Sequence, residues 1–186
     1  MYPVYQHNVL PEQYDALLAS KATELAAKLA PYQAPELEVF ASAPQGFRLR
    51  AEFRLWHDGD RCFYAMYAPG DKTQPYEVKQ FPIASPLIQQ LMQQLLTAIQ
   101  PSEILRQRLF QVEFLTTLSG DALITLVYHK PLSDDWQQAA EQLQQQLGVA
   151  IIGRARKQKR VLSRDYVTET LQVDGQSFHY RQIEGG

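Results

Sequence analysis

Residues 48–60 read R-L-R-A-E-F-R-L-W-H-D-G-D. In a strand, successive side chains point to opposite faces. Leu49, Ala51, Phe53 and Leu55 then form one face, and Arg48, Arg50, Glu52 and Arg54 the other. A strand buried on its apolar side presents three guanidiniums and a carboxylate in a row on its open side. Guanidinium offers a planar fork of donors, a geometry that matches phosphate oxygens and base edges. Arg50 and Arg54 are the candidate readers. Glu52 between them either contacts the same ligand or serves as their ion-pair partner. Periodicity alone fits a solvated strand face equally well.

Three further groupings carry the same kind of chemistry. Arg106-x-Arg108-Leu-Phe110 sets an aromatic beside two cations at the start of a strand. Phe110 is either a stacking surface or a core side chain, since Val112 and Phe114 follow at the same parity. His129, with Lys130, ends an apolar strand and is placed either to meet a base or phosphate or to play a structural part. Residues 154–160 hold five positive charges, and Arg154, Lys157 and Lys159 are the candidates there for sequence-blind phosphate contact. Other groups have plainer readings. Cys62 sits in an apolar run with no neighbouring His or basic helix end, which suits a buried, inert thiol. His7, His57, His129 and His179 are too scattered for a metal site. Asp134-Asp135 suits a helix start better than catalysis.

These side chains need a sheet to align them, and the chain supplies one. Asp58-Gly59 predicts a tight hairpin turn joining two strands over about 48–68, followed by a turn at Pro69-Gly70-Asp71 and a short extended piece near 76–81. Strands are also predicted at 110–118 and 122–129 around Ser119-Gly120-Asp121, at 149–152, and at about 165–172 and 176–182 around Asp174-Gly175. A first helix is predicted over 11–30, with Leu17, Leu18, Ala22, Leu25, Ala26 and Leu29 at helical spacing and Pro31 after it. A Pro-rich connector runs over 31–46. A second helix opens at Ser85-Pro86 and ends by Pro101; its stripe is Leu87, Ile88, Leu91, Leu95 and Ile99. The third runs from the Ser133-Asp134-Asp135 cap to Leu147, with Trp136, Ala140, Leu143 and Leu147 inward and Gly148 as C-cap. The expected class is α+β: a mostly antiparallel sheet built from hairpins, with about three helices packed against it.

The composition, 45% hydrophobic and 11% aromatic over 186 residues, is that of a globular chain with one sizeable core. One cysteine excludes a disulfide framework and fits a reducing, cytoplasmic setting. Residues 1–10 lack a signal peptide's basic start and apolar run, and no apolar stretch approaches the ~20 residues that cross a membrane. The net charge of −2 does not suggest a nucleic-acid partner, so the clustering of cations carries that expectation.

The run at 48–60, F-P-I-A-S at 81–85, L-F-Q-V-E-F-L-T-T-L-S at 109–119, L-V-Y-H-K-P-L-S-D-D-W at 126–136, I-G-R-A-R-K-Q-K at 152–159 and Y-R-Q-I-E at 180–184 occur in order along the chain. Together they resemble the tRNA (uracil-5-)-methyltransferase family, which forms ribothymidine in the T-loop. The resemblance implies S-adenosylmethionine as methyl donor and the tRNA T-arm as partner. It also implies attack of a Cys thiolate at uracil C6, methyl transfer to C5 and base-assisted proton loss. It places the stacking role, which fills the gap left by the flipped uridine, on Phe110, and makes Arg54 the stronger of the arginine readers.

The family's catalytic Cys, its base and its Gly-rich cofactor loop belong to a C-terminal Rossmann-like domain. Here no G-x-G follows a strand, and Cys62 matches no nucleophile motif. The expectation is therefore an N-terminal recognition half, with residues 1–46 as helix and connector and 47–186 as the RNA-recognition domain. It would hold no catalytic or cofactor-binding residue of its own and depend on a C-terminal methyltransferase domain absent from this chain. Two alternatives stand beside it. One is a ribosomal RNA 5-methyluridine enzyme, though those relatives often carry an extra RNA-binding barrel and cluster-binding cysteines. The other is a free-standing RNA-binding or assembly domain.

Overall fold

The computed structural model describes residues 2–4, 10–68, 70–71 and 73–185. His7 and the Pro69 corner of the expected turn lie outside the described residues.

One seven-stranded sheet organises the chain, in the order β3-β2-β1-β4-β5-β6-β7. Its strands are β1 (Arg50–Asp58), β2 (Arg61–Tyr67), β3 (Pro75–Glu77), β4 (Leu109–Thr116), β5 (Ala122–Tyr128), β6 (Ala150–Ala155) and β7 (Gln158–Val161). Every pairing is antiparallel except β5–β6, which run parallel across the crossover helix α4 (Asp134–Leu147). A parallel pair needs such a crossover because no tight turn can return the chain to the starting edge. The expected α+β class holds, with one short helix more than foreseen: α3 (Glu103–Arg106) follows α2 (Pro86–Ile99). The basic run extends the sheet. β6 continues through Arg154 to Ala155 and β7 returns antiparallel beside it.

Helices α2 and α4 cover one face of the sheet. Ser85 caps α2 by accepting from the Ile88 amide at 3.2 Å, and Ser133 caps α4 by accepting from Trp136 N at 3.1 Å. Ile88, Leu91, Leu95 and Ile99 from α2, with Trp136, Ala140 and Leu143 from α4, meet Ala51, Phe53, Val112, Phe114, Ile124, Leu126 and Ile151 of the sheet in one core. Gly153 is needed for this packing, since a Cβ there would stand 2.1 Å from Cη2 of the fully buried Trp136.

The opposite face is only half covered. A separate hairpin, β8 (Tyr166–Val173) with β9 (Gln176–Ile183), lies over its far end. There Val167 closes a small second core with Leu115, Leu123, Ala150 and Ile152. Carboxylates pin this hairpin: Asp121 binds the Arg164 guanidinium and accepts from Thr168 N at 2.8 Å, and Glu169 accepts from the amides of Leu118 and Ser119 at 2.6 and 2.9 Å. The near end of the face, on β1, is left open.

Helix α1 (Tyr14–Leu29) forms where expected, but no residue on it is buried, and Leu17 and Leu25 remain 47% and 48% exposed. Its apolar stripe does not reach the core. Among the described residues no helix is long and apolar enough to cross a membrane.

Candidate nucleic-acid interface

Strand β1 alternates as the sequence indicates. Ala51, Phe53 and Leu55 are buried, while Arg50, Glu52 and Arg54 are exposed on the half-open face. Register extends the pattern across the sheet. Arg54 pairs with Gln111, Gln111 with Val127, Val127 with Arg154, and Arg154 with Lys159. Residues paired this way share a face, so three cations separated by more than a hundred positions fall in one cross-strand row. At 4.7–4.9 Å per strand the row is about 19 Å long.

Phe110 joins this face because of a β-bulge. Leu109 pairs with Tyr128 and Gln111 with Val127, which leaves Phe110 as the extra residue on β4. Regular alternation would set Phe110 with Val112 and Phe114 in the core. The bulge resets the parity: Leu109 and Val112 are both fully buried, while Phe110 and Gln111 turn outward, half-buried. Arg108 enters the bulge in the left-handed region at φ 61, and its carbonyl accepts from His129 N at 2.9 Å.

That contact sets His129 against Phe110. The two rings stack with centroids 3.8 Å apart and planes 23° from parallel. On Phe110 the Arg54 guanidinium carbon also lies 3.8 Å from the ring centroid. Two groups this close to one centroid would collide on the same face, so Phe110 is sandwiched between them. The outcome is a three-layer stack, Arg54–Phe110–His129, standing on the open face. Beside it lies a recess of about 260 Å³ lined by Arg54, Leu55, Trp56, His57, Tyr67 and Phe110. His57 braces the bulge by donating from Nε2 to the Leu109 carbonyl at 2.7 Å. Sequence reasoning named the three layers without seeing that they touch. It missed the recess, because a bulge leaves little trace in hydrophobic alternation.

The remaining candidates divide. Arg50 reaches across to Glu113 on β4 at 3.8 Å, and Glu52 stands directly opposite Glu113 in register. Arg154 is bound side-on by Glu184, with Nε and Nη2 at 2.5 and 2.6 Å from the two carboxylate oxygens. Lys159 donates to Asp165 at 2.9 Å and lies 3.2 Å from Glu184. Arg160 pairs with Asp134. So the run expected as a phosphate patch also serves the fold, with Arg154, Lys159 and Arg160 held in internal ion pairs. Lys157, in the β6–β7 turn, and Arg156 beside it are exposed, with no ion pair among the described residues. Lys130 folds back onto the carbonyl of Ile104 at 3.0 Å, and burial lowers its pKa.

Glu184 is the group that sequence reasoning overlooked. Its side chain is only 5% exposed. Burial pushes its carboxyl up, but hydrogen bonds from Arg154 and Lys159 outweigh that and hold it below the ordinary glutamate range. The Glu184 bond raises the Arg154 pKa, and the Asp165 bond, joined by that of Glu184, raises the Lys159 pKa. Cys62 is buried as expected: desolvation pushes its thiol up to about 11, and Gln100 Oε1 accepts from its backbone amide at 3.1 Å. Among the described residues no group of three or more His, Cys, Asp or Glu is placed to hold a metal ion.

The family model described as tRNA (Uracil-5-)-methyltransferase matches residues 13–186. A protein of Stutzerimonas stutzeri (strain A1501) named tRNA/tmRNA (uracil-C(5))-methyltransferase is 56% identical over 175 residues, which are 94% of this chain and 48% of that protein. Proteins of the same name from Azotobacter vinelandii and Aromatoleum aromaticum are 55% and 49% identical, again over 94% of this chain and 48% of theirs. The chain thus spans about half the length of these relatives. In structure it is similar to the Pyrococcus abyssi tRNA (uracil-54, C5)-methyltransferase crystallised with S-adenosyl-L-homocysteine. The TM-score is 0.63 at 14% identity, over 92% of this chain and 43% of the other, a likeness of fold. Matched from residue 13 to its last residue, the chain belongs to the tRNA (uracil-5-)-methyltransferase family.

Proposed function

We propose that this chain is the tRNA-recognition half of an S-adenosylmethionine-dependent tRNA (uracil-5-)-methyltransferase, and that it grips the T-arm and helps extrude the T-loop uridine for methylation at C5. The observation that carries the reading is the preassembled Arg54–Phe110–His129 stack on an otherwise polar sheet face. Extruding a base from a folded loop costs a few kcal/mol in lost stacking. The layers lie 3.8 Å apart, close to the spacing of stacked bases, so an outer layer can fill the gap, and an aromatic layer returns about 1–3 kcal/mol per base stacked on it. Its outermost layers, a guanidinium and an imidazole, also carry donors for phosphate and base edges. Arg50, farther along β1, would meet the adjoining phosphates, Glu52 would accept from a base or ribose donor, and Lys157 and Arg156 would meet phosphates at the other end of the row.

The methyl donor and the reacting thiolate we assign to a separate catalytic half, a reading supported by the chain's spanning about half the length of its relatives. The residues here do not suit S-adenosylmethionine. The one parallel strand pair, β5–β6, has no glycine in the loop after β5, where Lys130-Pro131 stands instead, and arginines rather than a ribose-binding carboxylate line its end. No catalytic step is therefore routed through this chain. Cys62, buried and with a raised pKa, does not suit the role of nucleophile.

The test is a fluorescence titration of this chain with a T-arm hairpin and with the same stem closed by an unrelated loop. Tighter binding of the T-loop hairpin is expected. Equal affinity for the two would reduce the chain to a loop-blind phosphate binder.

A further inference from the structure

A second and larger recess, about 820 Å³, lies on the other side of the stack. Its lining runs Val127, Tyr128, His129, Lys130 and Pro131 at the end of β5, then Arg154, Ala155 and Arg156 at the end of β6. The volume lies within the range of small-ligand sites. Its place in the fold carries the meaning. Among the named strands of the described residues, β5 and β6 are the only parallel neighbours, and the pairings on both sides of them are antiparallel. Two parallel strands end together with their loops diverging, and in open parallel α/β sheets the crevice outside such carboxyl ends is where ligands bind; β5 and β6 reproduce that local arrangement.

The side chains around this crevice form a coherent set. His129 lines this recess while Phe110 lines the smaller one, so the stacked pair is a partition between the two. One face of the imidazole is taken by Phe110, and His129 is among the residues that line the crevice. Arg154 is fixed at the rim by the two-point grip of Glu184, a geometry that pre-orients a guanidinium at little further entropic cost. Arg156 is exposed beside it with no ion pair among the described residues. An aromatic face, a held arginine and a free arginine around an apolar floor of Val127, Pro131 and Ala155 suit one unstacked nucleotide: base against the ring, phosphate at the rim.

We infer that the cleft at the carboxyl ends of β5 and β6 is a second nucleotide subsite, which holds one unpaired loop nucleotide of the RNA apart from the uridine that is methylated. The inference rests on the RNA-recognition reading above. In it the Arg54–Phe110–His129 partition parts the loop: one nucleotide leaves toward the catalytic half, and another is parked behind His129. The Glu184 grip then acts at a distance from RNA, as a positioning contact for Arg154.

The experiment pairs protein variants with hairpins. A set of T-arm hairpins, each lacking one loop base, is titrated against this chain and against Ala155→Leu, Arg156→Ala and Arg54→Ala. Ala155→Leu narrows the cleft floor, and a melt confirms that it folds. Arg156→Ala changes an exposed side chain and serves if Ala155→Leu does not fold. One abasic position should weaken binding to the unaltered chain by roughly ten-fold, the scale of one lost base stack. Against Ala155→Leu, that position should no longer matter, and Arg156→Ala should reduce its effect. Arg54→Ala should weaken every hairpin and leave the profile of abasic losses at that position intact. If folded Ala155→Leu, or Arg156→Ala in its place, keeps the same profile as the unaltered chain, the subsite is wrong while the recognition reading stands. Loss of effect from Arg54→Ala as well would instead overturn the reading beneath it.

Discussion

Phe110 stacks on His129 at 3.8 Å because one extra residue in β4 turns its ring out of the core and onto the open face of the sheet. Phe110 lies on β4 and His129 just past the end of the neighbouring β5, and the same irregularity that frees Phe110 lets the Arg108 carbonyl bind the His129 amide. A regular ladder would have buried Phe110 beside Phe114 and left His129 without a partner ring. Bulges recur where a side chain must be re-aimed at a working surface. Here the re-aimed ring arrives with Arg54 already on its other face, so the stack is ordered before RNA binds and less ordering cost falls on association.

The close fit of α4 on β6 makes Gly153 the most sensitive backbone position near the interface. Gly153→Ala places a methyl 2.1 Å from Trp136 Cη2, and overpacking of this kind costs about 1–3 kcal/mol. Denaturant melts should show that loss, and a smaller ring in place of the indole, Trp136→Phe, should relieve part of it in the double variant. Additive losses in the double variant would contradict the clash.

Cations of the β6–β7 hairpin should separate by role. Arg156→Ala and Lys157→Ala together are expected to flatten the slope of log affinity against log salt by about 0.7–0.9 for each phosphate left without its cation, with little change in stability. Lys159→Ala should act chiefly on folding, because Lys159 is engaged by Asp165 and Glu184. A slope change as large from Lys159 as from the other two would show that its ion pairs open on RNA.

Acid should loosen the β9 end of the hairpin. The folded Glu184 carboxyl sits below its ordinary value of 4.5, so its contribution to stability is present in full above about that pH. The contribution fades as pH falls through the depressed folded value. Glu184→Gln should remove part of the acid dependence of stability and lower stability near neutrality. Thermal melts from about pH 7 down to about pH 3 would read both effects, and an unaltered acid profile in the variant would dissociate Glu184 from the hairpin's anchoring.

Much of this was legible in the residues. The alternation of 48–55 gave both faces of β1, the Ser85 and Ser133 caps gave the starts of α2 and α4, and Asp174-Gly175 gave the β8–β9 turn. What stayed hidden depends on residues distant in sequence. Parity counting sets Phe110 in the core, and only the one-residue slip against β5 moves it out. Charge counting makes 154–160 a free patch, and only the return of the chain at Glu184 shows that Arg154 and Lys159 are held. The α1 pattern reads as a buried stripe, yet periodicity records only which residues share a face, not whether anything covers it.

The most direct test is Phe110→Ala measured twice, once by denaturant unfolding and once by titration with a T-arm hairpin, beside Phe114→Ala as a core control. Phe110 is half-buried at a surface stack, so its removal should cost folding about 1 kcal/mol and hairpin binding about 1–3 kcal/mol. Phe114 is fully buried, and its removal should cost folding about 3–5 kcal/mol. The contradicting result is a Phe110→Ala chain that loses stability on the scale of Phe114→Ala and binds the hairpin, per folded molecule, as tightly as the unaltered protein.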